Sequence, residues 1–461
     1  MVQFSSIFER LTTRYLYAVL GAAAAYTVLH QLSLRHFWFS PLRKVPGLPF
    51  DNLLYGQFLN ILKRDASTTL LVGDFKETEM CYPPLEGCTN VSQTPEKGIE
   101  VLVYDWMGKV NMDIIFTATF GYYPENIHDD KGELIHAYQK LFDLQSGLNF
   151  ATLSAAVTFI PEFHHFLPTN SPTNIENICS LDFFQNFVRD LHTIIECVHH
   201  VMDVAKAMLV EKLREADVKT SETKKDIMNL LIKRVARLNG TEDGYKMADQ
   251  DLLEHALTFL RGHATAVGGF TWTLWLLATH PEYQERLRAE VLPAVADNPR
   301  PDYNTLKDLK LLNSIEIHNM ESPNPSLCPY DSPKGCQVRL VDGYFIPKGT
   351  ILYIFIRVAN TYPGTWGSDE DEFRPNRWFD LPPTYDPKFL FLGFTASNYS
   401  CLARPMAIME LRAIIAVTIA HFAIVPAYEG QVAKPIGIRM MKPGYSMPLR
   451  VKAVGKLPNP L

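Results

Sequence analysis

Two short stretches of this chain carry residue types that suit chemistry. Near the C-terminus, "FLGFTASNYSCLARPMAIMELR" (Phe391–Arg412) holds a single thiol, Cys401, behind Phe394 and a run of turn-forming residues. A strongly amphipathic helix is expected to begin just after it. Earlier in the chain, "RGHATAVGG" (Arg261–Gly269) places Gly262, Gly268 and Gly269 inside an apolar helical pattern, with Thr265 among them. Glycine in a helix interior costs about 0.5–1 kcal/mol relative to alanine. Such a run marks either close helix packing or a helix thinned so that a flat ligand can approach its backbone. A lone cysteine is by default an inert core residue, and a helical threonine often returns its hydroxyl to its own backbone. Composition alone does not decide between these readings.

The elements around these stretches are mainly helical. "DWMGKVNMDIIFTATFGY" (Asp105–Tyr122) reads as a buried helix ending at Gly121, and a long amphipathic segment runs from Asp182 to Glu215. "DLLEHALTFLRGHATAVGGFTWTLWLLATH" (Asp251–His280) reads as one long apolar helix stopped by Pro281. Glu254, His255, Arg261 and His263 make it a core helix rather than a membrane span, because charge at bilayer depth is costly. "CQVRLVDGYFIPKGTILYIFI" (Cys336–Ile356) alternates and carries Gly and Pro turns, the pattern of a small sheet. The fold class is therefore mainly α with a small β-sheet.

The chain has 461 residues, 47% hydrophobic and 20% charged, which is a globular composition. Net charge is −6 with no basic stripe, so nucleic acid is excluded as a partner. The other six cysteines (Cys81, Cys88, Cys179, Cys197, Cys328 and Cys336) are sparse and lack metal-finger spacing, which points to a reducing, cytosol-facing setting. Three glycosylation sequons, at Asn90, Asn239 and Asn398, read as chance matches on such a body.

"YLYAVLGAAAAYTVLHQL" (Tyr15–Leu32) approaches the roughly 20 apolar residues that span a bilayer. A cleaved signal peptide and a buried helix compete with a membrane anchor here. "FSPLRKVPGLP" (Phe39–Pro49) follows as a basic, Pro-punctuated connector that cannot continue a helix. The expected organisation is an anchor over residues 1–35, a hinge over 36–49 and a catalytic body over 50–461.

In order along the chain, these segments resemble the cytochrome P-450 family of haem-thiolate monooxygenases, most closely its fungal membrane-bound members. Phe394 to Ala403 is similar to the family's F-x-x-G-x-x-x-C-x-G loop, and "FRPNRW" (Phe373–Trp378) to the segment before it. "GYFIPKGT" (Gly343–Thr350) and "TWGSDEDEF" (Thr365–Phe373) match the family's sheet and the stretch after it. "GHAT" (Gly262–Thr265) resembles the helix that crosses the distal haem face. The resemblance implies that Cys401 is the axial ligand of a haem iron and that Phe394 packs near its sulfur. It implies that Gly262 leaves room for the haem, that Thr265 helps deliver protons, and that Glu316 and Arg377 steady the haem loop. It also implies a hydrophobic substrate, an NADPH-dependent reductase as partner, and an endoplasmic-reticulum membrane location with a cytosolic body. Secondary metabolism is the expected setting.

The chain departs from the family pattern at several places. Ala264 and Ala266 stand where the family carries an acid and a second hydroxyl, and one residue is missing between Phe259 and Gly262. In Glu316-Ile317-His318-Asn319, asparagine replaces the arginine of an E-x-x-R pair, and an amide cannot reproduce a guanidinium's two-pronged bonds. Ser397 and Ala403 replace two loop glycines, with strain expected wherever the backbone needs a positive φ. Between Arg64 and Val101 the first sheet region and its helices are largely missing. The family's W-x-x-x-R has no match there, and Trp106 is followed by Val110 where the arginine would stand. Besides a monooxygenase, the departures keep two readings open: a haem-thiolate isomerase or dehydratase, and a catalytically inactive family member that acts as a binding or scaffold protein.

Overall fold

The structure is a computed structural model, which describes residues 98–122, 182–217, 226–239, 248–298, 301–321 and most of 351–454, with short strands between 327 and 346. The expected anchor, hinge and missing first sheet region lie outside the described residues. Among the described residues, no helix is long and apolar enough to cross a membrane. Chain contacts divide the molecule into two units. The larger comprises Lys76–Phe150, Pro172–Cys328 and Phe355–Leu461; the smaller comprises Met1–Phe75, Ala151–Ser171 and Pro329–Ile354.

In chain order the elements are β1 (Ile99–Leu102), α1 (Val103–Ile115), α2 (Asp182–Asp217), α3 (Ile227–Asn239), α4 (Asp249–Arg261), α5 (His263–Thr279) and α6 (Pro281–Asp297). There follow α7 (Tyr303–Lys307), α8 (Lys310–Glu321), β2 (Leu327–Asp331), β3 (Val338–Arg339), β4 (Phe345–Ile346), β5 (Ile351–Phe355) and α9 (Pro363–Trp366). The chain closes with α10 (Arg404–His421), β6 (Phe422–Pro426), β7 (Pro435–Ile436), β8 (Lys442–Pro443) and β9 (Pro448–Ala453). This is the mainly α protein with minor sheets that the periodicity implies.

Within the larger unit, β1, β9 and β6 form an antiparallel sheet in that order. Ile99 pairs with Val451, and Phe422 with Ala453. In the smaller unit, among the described residues, β3 pairs with β4, and β2 pairs with β5 in a second ladder.

Two apolar cores organise the larger unit. One joins Phe270, Trp272, Leu274 and Leu277 of α5 to Leu287 and Val291 of α6, Ile315 of α8, and Leu411, Ile415 and Ile419 of α10. The other joins Met112 and Ile115 of α1 to Leu209 of α2, Met228 of α3, and Leu257 and Leu260 of α4. Helix α10 lies against α5, α6 and β6. Buried apolar residues therefore occur around much of its circumference, and the amphipathic pattern expected after Cys401 is corrected: a helix enclosed on several sides is apolar all round.

Side chains on α6 set the register of its neighbours. Gln284 donates to the carbonyls of Leu277 and Ile424, and its carbonyl accepts the Ile424 amide at 2.9 Å. Arg288 donates to the carbonyls of Ile419 (2.9 Å) and Phe422 (2.9 Å). Glu290 accepts the amides of Leu311 and Leu312, both at 3.0 Å, which caps the start of α8. A carboxylate on these orphan amides is the favoured partner of a helix N-terminus.

The segment that ends α1 behaves as its sequence implies, with one addition. After Ile115 the turns widen into a short π-helix, Phe116–Phe120, closed by Gly121 at φ +60°. Only glycine serves at Gly121, since a Cβ there would also lie 2.9 Å from an Asp226 carboxylate oxygen. That carboxylate is buried against Lys212 (3.0 Å) and accepts from the Asn229 amide at 2.8 Å.

Candidate haem-thiolate site

The long helix expected over Asp251–His280 is interrupted. It is two helices, α4 and α5, with Gly262 alone between them at φ −64°, ψ −18°. The Gly262 amide is shared between the carbonyls of Thr258 (3.3 Å) and Phe259 (3.1 Å). The Ala266 amide reaches the Gly262 carbonyl only at 3.4 Å. This break falls where one residue is missing from the family's spacing. Removing a residue shifts everything after it by about 100° of helix rotation, and a local change of turn absorbs that shift.

Beside the break lies a cavity of about 500 Å³, within the range that holds cofactors and drug-sized ligands. Gly262, Thr265, Ala266 and Gly269 form one wall. Phe394, Cys401, Met406 and Glu410 are among the residues of another, and Ile115 of α1 and Thr119 of the π-helix after it contribute as well. The structure thus brings Cys401, Phe394, Gly262 and Thr265 around one space. Cys401 is exposed to it rather than packed in hydrocarbon.

The loop that carries Cys401 is held locally. The Cys401 amide donates to the Phe394 carbonyl at 2.9 Å, and the Arg404 amide approaches the Cys401 carbonyl at 3.4 Å as α10 begins. Phe394 is buried, with the Arg404 guanidinium 5.5 Å from its ring centre. Asn360, buried, accepts the Leu392 amide at 3.0 Å and ties down the approach to the loop. Strain expected at Ala403 is absent, because its φ is −85°, a value open to any residue. Strain lies instead at Thr395, a β-branched residue at φ +56°. Ser397 lies outside the described residues.

Thr265 faces the cavity while its hydroxyl donates to the Gly262 carbonyl at 3.0 Å. Ala264 is buried away from solvent and offers no acid there. Arg377 is also buried. It donates to the carbonyls of Asp369 and Glu372 and lies 5.8 Å from the Trp366 ring centre. Its Nε has no hydrogen-bond partner. Helix α8, which carries Glu316, packs on the 3₁₀ turn Pro375–Phe379 that carries Arg377. The Glu316 side chain lies outside the described residues. Arg377 is not among the cavity-lining residues.

Motif reading missed two polar groups in the cavity wall. Thr119 Oγ1 and Glu410 Oε1 are buried without hydrogen-bond partners. Burial pushes the Glu410 carboxyl up to about 7. No cation lines the cavity among the described residues.

The space suits a flat, largely apolar prosthetic group with a soft metal ligand. The thiol is accessible, the walls are mostly hydrocarbon, and a Cβ built on Gly269 would meet nothing within 4 Å. A mainly helical body with a thiol at the mouth of a helix, facing a glycine-thinned helix across an apolar slot, is the arrangement of the haem-thiolate proteins. The family model described as Cytochrome P450 matches residues 88–447, and the chain belongs to that family, whose cofactor is haem with thiolate ligation. Cytochrome P450 monooxygenase 91 of Postia placenta is 25% identical over 389 residues, covering 78% of this chain and 69% of the relative. Cytochrome P450 monooxygenase sphH of Aspergillus fumigatus is 27% identical, covering 70% and 56% respectively. Human Cytochrome P450 4F3 is 31% identical over 44% of this chain and 39% of its own length. Except for the first of these three, the matched part spans less than two thirds of the relative.

Proposed function

We propose that the protein is a haem-thiolate monooxygenase that hydroxylates a hydrophobic small molecule, using dioxygen and electrons from an NADPH-dependent reductase. The observation that carries this reading is the shared cavity, with Cys401 on one side and Gly262, Thr265 and Gly269 on another.

Cys401 would hold the haem iron. Metal binding itself keeps a coordinating thiol deprotonated. Bound haem supplies oxygen activation, with thiolate ligation favouring O–O cleavage. The chain supplies the rest. Phe394 would pack near the sulfur, and Gly262 and Gly269 would leave the backbone bare for the ring system. Thr265 holds a hydroxyl at the cavity surface on the Gly262 carbonyl oxygen, and would pass a proton by turning its hydrogen from that carbonyl to water. Glu316 and Arg377 steady the loop from behind. Residues 1–35 would anchor the protein to the endoplasmic reticulum, hinged over 36–49, with the catalytic body of 50–461 in the cytosol. Fungal secondary metabolism is the proposed setting.

The test is the absorbance of the reduced, carbon monoxide-bound protein. A thiolate-ligated band in the native chain that vanishes in Cys401→Ala supports the reading. A folded chain that takes up no haem sinks it and leaves the binding or scaffold role.

Two observations favour a second reading. Thr265 gives its proton to its own helix, and Ala264 replaces the acid, so the cavity suits rearrangement or dehydration of an already oxygenated substrate. Turnover without NADPH would select that reading, and strict dependence on a reductase would exclude it.

A further inference from the structure

We infer that Asn111 is a positioning residue for Thr265: from α1 it grips His263 and so fixes the break at Gly262 that presents Thr265 to the cavity. The functional meaning of this clamp rests on the haem-thiolate reading above, whereas its structural content does not.

Asn111 is fully buried, and its Nδ2 donates to the His263 carbonyl at 3.1 Å. The same nitrogen lies 3.2 Å from the His263 ring Nδ1. An amide nitrogen has only hydrogens to offer, so Nδ1 accepts and the neutral ring carries its proton on Nε2. Asn111 thus holds both the main chain and the side chain of the first residue of α5. It does so from a helix far away in sequence.

The turn it holds is weakly supported from within. The Gly262 carbonyl is shared by the Thr265 hydroxyl at 3.0 Å and a distant Ala266 amide at 3.4 Å. A first turn with long bonds of its own can tilt unless something outside fixes it. The same face of α1 continues, four residues on, to Ile115 in the cavity wall, and Thr119 of the π-helix that follows lines it too. Helix α1 therefore acts as a rail, with Asn111 setting the break and the later residues forming the wall. Losing the amide donor removes two buried hydrogen bonds from the first residue of α5, a change that drives local rearrangement.

The experiment uses the purified full chain in two arms. In the first, hydrogen exchange is followed at the amides of residues 262–267 in haem-free native protein and in Asn111→Leu. Exchange at least tenfold faster in the variant is expected, and equal exchange overturns the clamp. In the second, 4-phenylimidazole binding to the ferric haem form is read from the absorbance shift in native protein, Asn111→Leu, Thr265→Ala and the double variant. Each single change should alter Kd at least fivefold. The double variant should fall well short of the product of the two, the mark of residues acting as a unit. Effects that multiply independently overturn the positioning role. Should Asn111→Leu fail to fold, Asn111→Ala replaces it in both arms. If the native protein shows no thiolate band, the haem-thiolate reading fails while the exchange arm still decides the clamp.

Discussion

The Cys401 amide donates to the Phe394 carbonyl at 2.9 Å, so the chain between them closes into a loop whose far end exposes the thiol to the cavity. Because main-chain atoms close the loop, the sulfur itself carries little of the fold. Cys401→Ser should melt within about 0.5 kcal/mol of the native protein, as surface changes do. The same variant should lose the thiolate absorbance band entirely. Calorimetry and the reduced carbon monoxide spectrum check the two halves, and a large loss of stability would mean that the thiol is packing after all.

Thr395 sits at φ +56° in this same loop. A left-handed L-residue costs roughly 1–2 kcal/mol, and part of the relief gained with glycine is offset by the entropy of the unfolded chain. Thr395→Gly should therefore stabilise the protein by about 0.5–1 kcal/mol. Chemical unfolding midpoints measure it, and a destabilised variant would show that side-chain contacts of Thr395 outweigh its backbone strain.

Gly269 and Gly262 should respond differently to added carbon. A Cβ on Gly269 meets nothing within 4 Å, so Gly269→Ala should gain about 0.5–1 kcal/mol from helix propensity. Gly269→Leu should keep the fold but fill the slot and block haem uptake. At Gly262 a Cβ lies 3.2 Å from the Phe259 carbonyl oxygen, so Gly262→Ala should gain less or lose stability. Melting curves and haem stoichiometry report both positions. Full haem content in Gly269→Leu would place the ring system elsewhere.

Two buried titratable groups give opposed pH dependences. Burial raises the Glu410 carboxyl from 4.5 to about 7, so its contribution to stability is complete below pH 4.5 and is lost as pH rises through 7. Burial lowers His263 from 6.5 to about 4, so its contribution is present above pH 6.5 and is lost as pH falls through 4. Glu410→Gln isolates the first. Native protein should lose on the order of 2–3 kcal/mol relative to the variant between about pH 4.5 and about pH 7.5. Urea unfolding at both pH values measures this, and parallel behaviour of the two proteins would mean that the carboxyl finds a partner.

Much of the site was legible because it is built from local motifs. Cys401 and its preceding loop, Gly262 with Thr265, and the helix ending at Gly121 each announce themselves through residue types at short spacing. The break at Gly262 was hidden, because α4 and α5 share one unbroken apolar pattern and Gly262 itself keeps right-handed helical angles. Periodicity records which faces are buried, not a bond rerouted within one turn. The Ala403 expectation failed for a related reason: a family glycine can be kept for space rather than for φ. Thr119, Asn111 and Glu410 were invisible as site residues, since their roles arise only when distant helices meet. The resemblance singled out Arg377, but neither its burial nor its carbonyl partners at Asp369 and Glu372 were readable from the motif.

The seam between α6 and its neighbours has an evolutionary consequence. Gln284 and Arg288 bond to main-chain atoms of residues 277, 419, 422 and 424, never to their side chains. Every amino acid presents the same carbonyl. Those four positions are thus free to drift among apolar residues without disturbing the joint. The two long polar side chains on α6 have no substitute with the same donors at the same reach, so mutational tolerance here is lopsided, wide at the accepting positions and narrow on the donating helix.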